Sequence, residues 1–437
     1  MAIRRHAAAG TARDRAAAVL LRIQQAAAGT TPVTVQTLVH EALAGLDDPR
    51  EAGLCSEIVY GALRWQLKLE WIMALYLRAP HKLPPTVRAV LLSASYEILF
   101  LSRVPAHATV NWAVSAARHT GGKSLGAVTN AVLRKIADLG VAAHTPEFYA
   151  DRFPDPLCSL SVMSAVPLWI VRLWHEHYGY AEAARMALNA GRTPWPVLRL
   201  NAQYPDWEST RAQALELGGR PIAHSGIAFE QGAVPECARE WVAAGRASWH
   251  GAGSQELLHA LGAADWEGPI WDACAGRGGK ACALLELGRD VRLASDPHPR
   301  VAGVEGECRR LGLPAIPWRQ AKAQDVVQDF VPRTIMLDVP CSGLGTLSRR
   351  PDVRLFRTPE QVRDLILVQS ELVEMAWARL PRGGQLAYLT CTMHPGENEH
   401  QMERLATCHP EARILRQHTT SGDDGADVMY GALVQKS

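Results

Sequence analysis

Three short apolar runs beyond residue 250 each end on an aspartate, and no other feature of the chain restricts its fold as tightly. Pro269-Ile270-Trp271-Asp272, residues 291–296 and Thr334–Asp338 read as buried strands, and Gln385–Thr390 as a fourth. A glycine-rich turn after the first, Asp272-Ala273-Cys274-Ala275-Gly276-Arg277-Gly278-Gly279-Lys280, leads into a helix over 279–287. Between the last two strands, Thr358-Pro359-Glu360-Gln361 has the form of a capping box with proline at the first helical position. Val362, Leu365, Ile366, Leu372 and Val373 continue it at helical spacing. Strands alternating with helices predict a doubly wound, Rossmann-like α/β domain with a mixed, mostly parallel sheet. Ligands in such a domain lie at the carboxyl ends of the strands.

The front of the chain follows a different grammar. Residues 12–138 read as helix after helix, with apolar residues such as Leu54, Ile58, Val59, Leu63 and Trp65 at helical spacing. Breaks fall at Pro80, Pro84-Pro85 and Pro105. A loop with Pro146, Pro154 and Pro156 follows. Residues 165–248 mix a helix over 168–190 with apolar runs at Val197–Leu200 and 222–229. Since 437 residues suit two or three domains, the expected division is an all-α domain over 1–145, a small α+β segment over 160–248 and the α/β domain over 250–437.

Charge separates front from rear. Residues 1–140 hold 16 Lys and Arg against 9 Asp and Glu, whereas the remainder holds 30 against 35. A basic front suits an anionic partner, and it equally suits a solvated helical surface. The nine cysteines are scattered without a CxxC pair, which speaks against a disulfide framework or a structural zinc site. The first residues superficially resemble a signal peptide, but Arg13, Asp14 and Arg15 interrupt the apolar region. With no apolar stretch long enough to span a bilayer, a cytoplasmic protein is expected, without membrane or metal and monomeric.

The glycine-rich turn admits three nucleotide readings. A P-loop fails because Cys274 stands at its first glycine and Ala281 at its Ser/Thr. A dinucleotide GxGxxG fails on the spacing of Gly276, Gly278 and Gly279. A methyltransferase loop remains, and Asp296, at the end of the next strand, suits a carboxylate that binds ribose hydroxyls. A plain tight turn would also account for the glycines alone. Two further runs place sulfur at strand ends: Leu337-Asp338-Val339-Pro340-Cys341-Ser342-Gly343-Leu344-Gly345, and Tyr388 to Asn398, which contains Thr390-Cys391-Thr392. Single cysteines at such places are commonly inert packing. Here there are two, one of them close to Asp338.

Together these motifs resemble the RNA 5-methylcytosine methyltransferases of the NOL1/NOP2/Sun family, which use S-adenosylmethionine. The resemblance implies that Cys391, in the Thr-Cys motif, is the nucleophile and that Cys341 assists product release. It also implies that Lys280 lies close to the catalytic centre. Expected cofactor contacts are Cys274, Ala275, Gly276, Arg277, Gly278, Gly279, Lys280, Asp296, Asp338 and Asp325, the last for the adenine. Ser348-Arg349-Arg350-Pro351-Asp352 and Gly253-Ser254-Gln255 also match. Tyr60-Gly61-Ala62-Leu63-Arg64, the run from Arg103 to Asn111 and Asn130-Ala131-Val132-Leu133-Arg134 resemble the NusB-like helical domain of the RsmB (Sun/Fmu) type, which acts on small-subunit (16S) ribosomal RNA. Pro167-Leu168-Trp169 and His177-Tyr178-Gly179 resemble its middle RNA-binding segment.

The implied chemistry needs these groups. Cytosine C5 is a poor nucleophile until a thiolate adds at C6. An acid near N3 must offset the developing charge, and a base must later take the C5 proton. Cys391, Asp338 and Cys341 supply one nucleophile, one acid and one further proton acceptor. The chain departs from the family pattern at four places: Arg277 replaces the loop proline, the acid that often precedes Gly253-Ser254-Gln255 is missing, one register puts Lys322 at the place of Asp325, and Asp427-Val428-Met429-Tyr430 replaces Asp-Gly-Phe-Phe. Two alternatives stay open. A DNA-type enzyme would attack with the Pro-Cys cysteine, and a non-catalytic ribosome-assembly or antitermination scaffold would keep a vestigial α/β domain, as Arg277 favours.

Overall fold

The computed structural model describes residues 10–27 and 34–437. Of the signal-like start over residues 1–20, the first nine lie outside them. The chain forms two compact units, one of residues up to Gly191 together with Arg354–Phe356, the other of Arg192–Val353 and Arg357–Ser437.

The first unit is helical throughout. Its main helices are Ala12–Ala27, Val35–Leu43, Pro49–Arg64, Gln66–Ala74, Pro85–Phe100 and Ala106–Leu139, the last broken at Gly121-Gly122, with Pro156–Ser164 and Leu168–Asn189, broken at Gly179, completing it. Prolines fall where helices begin: Pro49, Pro85 and Pro156 each open one, and Pro105 caps another. Leu20, Leu38, Ile58, Val59, Leu63, Leu91, Leu133 and Ile136 share one core. Gly61 is required by close approach, since a Cβ there would strike the Tyr96 ring. Within this core Lys68 is 3% exposed, its ammonium 5.1 Å from the ring centroids of Trp65 and Tyr149. Burial pulls its pKa down to about 8. Arg118, Lys123, Arg134 and Lys135 are exposed along the Ala106–Leu139 helix.

The second unit contains two sheets. Strands β1 (Val197–Leu200), β2 (Arg220–Ile222), β3 (Gly226–Ala228) and β4 (Ala247–Trp249) form an antiparallel sheet in the order β2-β3-β1-β4. The 168–189 helix packs in the first unit while these strands lie in the second, so residues 160–248 are divided between the two. The helix joins Pro156–Ser164, and Leu198, Leu200, Ile227, Phe229 and Trp241 close a separate core.

The larger sheet has seven strands: β5 (Ile270–Asp272), β6 (Val291–Ser295), β7 (Trp318–Arg319), β8 (Thr334–Asp338), β9 (Gln385–Thr390), β10 (Ala412–Thr419) and β11 (Tyr430–Lys436). Their order is β10-β11-β9-β8-β5-β6-β7. β7, β6, β5, β8 and β9 run parallel, while β11 pairs antiparallel with β9 and β10 with β11. The expected Rossmann-like class is therefore present, with three strands more than the four read from sequence. Side chains alternate between two cores: Ile270, Met336, Ala387 and Leu389 on one face, Trp271, Ile335, Leu337, Leu386 and Tyr388 on the other. Burial on both faces explains the near-continuous apolar runs. From β5 the chain proceeds outward to β6 and β7, then returns to β8 on the other side. That reversal opens a crevice at the carboxyl ends of β5 and β8.

Candidate active site

Every strand that borders the crevice delivers a chemical group to its rim. Asp272 ends β5, Asp296 follows β6, Asp338 ends β8 and Cys391 follows β9. The Asp272–Lys280 turn is held to the sheet by its own backbone: Ala273 N donates to Met336 O (3.0 Å) and Ala275 N to Ser295 O (2.9 Å). Gly278 adopts φ +82°, and a Cβ there would crowd Val304, so both conformation and space call for glycine. Gly279 opens the helix Gly279–Glu286, and a Cβ added at it would meet nothing within 4 Å.

Asp296 is 5% exposed and takes two backbone donors, Gly276 N at 2.9 Å and His298 N at 2.8 Å, with Arg300 Nη2 3.5 Å away. Asp272 is buried, and burial followed by the neighbouring charge of Asp338 pushes its pKa up to about 8. Lys280 Nζ donates to Asp338 Oδ2 at 2.6 Å. Burial pulls the Lys280 pKa down, but Asp338, then Cys391 and Asp272, outweigh it and leave the ammonium above its ordinary value. The site thus sets Asp296 and Asp338 beside the cations Arg300 and Lys280, with Asp272 as a third carboxyl that is largely protonated at pH 7 and can ionise beside a cationic ligand. Cys274 is held as a thiol by burial and by Asp272, Asp338 and Asp296.

The two cysteines singled out from sequence, 50 residues apart, meet. Cys341 Sγ lies 3.1 Å from Cys391 Sγ and accepts the Cys391 backbone N–H at 3.3 Å. Val339 N donates to Leu389 O and Gly345 N to Cys391 O, so the loops after β8 and β9 remain paired past the sheet. The thiol hydrogen bond with Cys391, then burial, then the charges of Cys391 and Glu397 push the Cys341 pKa up. Cys341 is therefore a protonated thiol at rest.

Arg277 is exposed on the turn, and Arg349 of the Ser-Arg-Arg-Pro-Asp run pairs with Asp427. Asp325 ends the short turn Ala323–Asp325 and is exposed; no hydrogen bond or ion pair found among the described residues joins it to Asp296. Sequence reasoning passed over Arg199 on β1. Its Nε and Nη2 bind Glu286 at 2.7 and 3.0 Å, and its Nη1 reaches His250 Nδ1 at 2.6 Å and Gly279 O at 2.8 Å. Burial, then Arg199, hold His250 well below its ordinary pKa, so the ring is neutral and accepts. No periodicity marks this pair, because Arg199 and Glu286 are 87 residues apart.

The family model described as 16S rRNA methyltransferase RsmB/F matches residues 259–433, and the NusB family model matches 10–138. A probable ribosomal RNA small subunit methyltransferase B of Synechocystis is 31% identical over 84% of this chain and 83% of its own length. The corresponding protein of Bacillus subtilis is 27% identical over 91% and 89%. Among solved structures, the crystal structure of PH0851 superposes with a TM-score of 0.73 at 19% identity, covering 97% of this chain and 98% of its own. A methyltransferase homolog from Pyrococcus horikoshii gives 0.56 at 18%, covering 65% of this chain and all of its own. At such identities the two structures speak to fold alone. The fold, the motif-bearing rim and these relatives together place the chain in the RsmB (Sun/Fmu) family of small-subunit ribosomal RNA methyltransferases.

Proposed function

We propose that the chain methylates C5 of a cytosine in small-subunit ribosomal RNA, using S-adenosylmethionine and a covalent bond from Cys391 Sγ to cytosine C6. The observation that carries this reading is the 3.1 Å contact of Cys341 and Cys391 at the ends of adjacent parallel strands, beside the Lys280–Asp338 pair. A methyl donor with a sulfonium and an ammonium group suits the rim's Asp296 and Asp338, and Asp272 beside them can ionise when the cation arrives. Residues 274–280 would cradle it, Asp296 would take its ribose hydroxyls and Asp325 is assigned to its adenine. When bound, it supplies an electrophilic methyl group.

The protein's own groups do the rest. Cys391 attacks C6 as a thiolate, while the Lys280 ammonium, held in place by Asp338, offsets the negative charge that develops on the N3 edge. Once its sulfur is bonded to carbon, Cys391 no longer carries the charge that raises the Cys341 pKa. Cys341 then gives its proton to solvent water and, as a thiolate, takes the one on C5; the electron pair of that C–H bond restores the C5–C6 double bond, and the Cys391–C6 bond breaks to give methylated base and free Cys391 thiolate. A stacked base is out of reach for such an attack, so the target lies in a loop or single strand. Residues 1–145 and 160–248 are assigned to RNA binding, mainly through phosphates. The test is tritiated-methyl transfer to unmodified ribosomal RNA with mass analysis of the labelled base. Labelled 5-methylcytosine is expected; label at another atom would reject the chemistry, and no label with intact RNA binding would favour the scaffold.

A further inference from the structure

The run from Tyr388 to Asn398 contains a carboxylate to which the reaction above gives no task. Glu397 is wholly buried. Its Oε1 accepts from Ser342 N at 2.8 Å and Gln369 Nε2 at 2.9 Å; its Oε2 accepts from Ser342 Oγ and from Thr392 Oγ1 at 3.0 Å. Ser342 follows Cys341, and Thr392 follows Cys391. Gln369 also donates to Pro340 O at 2.9 Å, on the other side of Cys341. The next residue, Asn398, accepts from Thr390 Oγ1 at 2.6 Å and donates to Thr392 O at 3.0 Å. Each residue flanking either cysteine is thus bound by Glu397, Asn398 or Gln369.

This wiring is more than core packing needs. A buried carboxylate is costly unless donors surround it, and an amide in its place can offer only one acceptor oxygen. We propose that Glu397 is the positioning residue of the thiol pair, its carboxylate joining the loop after β8 to the loop after β9 and fixing the Cys341–Cys391 contact used in product release. The claim rests on the reaction proposed above, but the contact itself is measurable apart from it. Glu397 also acts through its charge, which helps keep the Cys341 proton in place until the base is bonded.

The experiment compares the full chain with Glu397→Gln and Glu397→Asp. Diamide takes two electrons and two protons from the two thiols and leaves one Cys341–Cys391 disulfide, mapped by mass spectrometry. Both variants should form it about 10-fold or more slowly, since catalytic contacts tolerate little misplacement. Iodoacetamide labelling of Cys341 should shift to lower pH in Glu397→Gln and much less in Glu397→Asp, a difference that a purely structural role would not produce. With RNA and S-adenosylmethionine, the covalent adduct should form but persist, and donor affinity should stay unchanged. Disulfide formation at the wild-type rate with an unshifted labelling profile would overturn the proposal. Should Glu397→Gln fail to fold, Glu397→Asp carries the cross-linking test. A wild-type chain that makes no 5-methylcytosine would defeat the reaction above, and the disulfide rates would still decide whether Glu397 holds the pair.

Discussion

Replacing Arg199 with methionine keeps the side chain's bulk and removes its charge. Both Arg199 and Glu286 are 4% exposed, so the variant strands a buried carboxylate and deprives His250 Nδ1 and Gly279 O of their donor. Breaking a buried pair from one side costs about 3–5 kcal/mol. In a domain of this size each kcal/mol moves the midpoint by about 2–4 °C, so the second unit should melt roughly 6–20 °C lower. Burial already raises the Glu286 pKa in the folded chain, and Arg199 opposes that rise. Without Arg199 the folded pKa climbs further above the unfolded value. A raised folded pKa gives stability that is full at low pH and lost as pH rises, so the loss should be smaller at pH 5 than at pH 8. The assay is differential scanning calorimetry at both pH values, with donor affinity by titration calorimetry, which should fall because the cofactor turn loses its tie at Gly279. The double variant Arg199→Met/Glu286→Leu should recover most of the stability. A single variant that melts with the wild type at both pH values would refute this account of the pair.

Three further outcomes are expected. Asp272, with its pKa near 8, is largely protonated at pH 7; a cationic donor should make it ionise, so binding heats should depend on the buffer's ionisation enthalpy and show release of about one proton, which Asp272→Asn should abolish. Lys68 titrates near 8 in the folded chain against an ordinary 10.5, so its penalty is full below pH 8 and relieved as pH rises toward 10.5. The helical unit should gain stability across that interval in thermal melts, and Lys68→Met should remove the gain. RNA binding should weaken steeply with salt, and the triple change Arg118→Ala, Lys123→Ala, Arg134→Ala should lower the log–log slope by about 2–3 without altering donor affinity; an unchanged slope would show that this helix does not touch phosphate.

The parts of the fold that were legible in the sequence are those where burial writes a pattern. β5, β6, β8 and β9 are buried along nearly all their length, so they stand out as apolar runs, and Thr358–Gln361 announces its helix through a capping box that the structure contains. β7 is two residues long, and β10 is exposed along most of its length, as an edge strand can be, so neither leaves a continuous apolar run; β11 is buried and apolar, and was passed over in the reading of the sequence. Glu397 stood inside a motif already singled out, but a lone glutamate says nothing of four donors, three of them brought in from two other segments. Arg199 was hidden for the same reason, its partners lying on other elements. The two cysteines were visible because each comes soon after the end of a buried strand, and parallel neighbours bring their carboxyl ends together.

The most direct test of the central claim is a denaturing gel of three proteins with unmodified ribosomal RNA and S-adenosylmethionine: wild type, Cys391→Ala and Cys341→Ala. Cys391→Ala should neither methylate nor form an adduct, while Cys341→Ala should accumulate a denaturant-resistant protein–RNA complex that fails to release. Adduct with Cys391→Ala and none with Cys341→Ala would reverse the two roles, and wild-type turnover by both variants would contradict covalent catalysis at this rim.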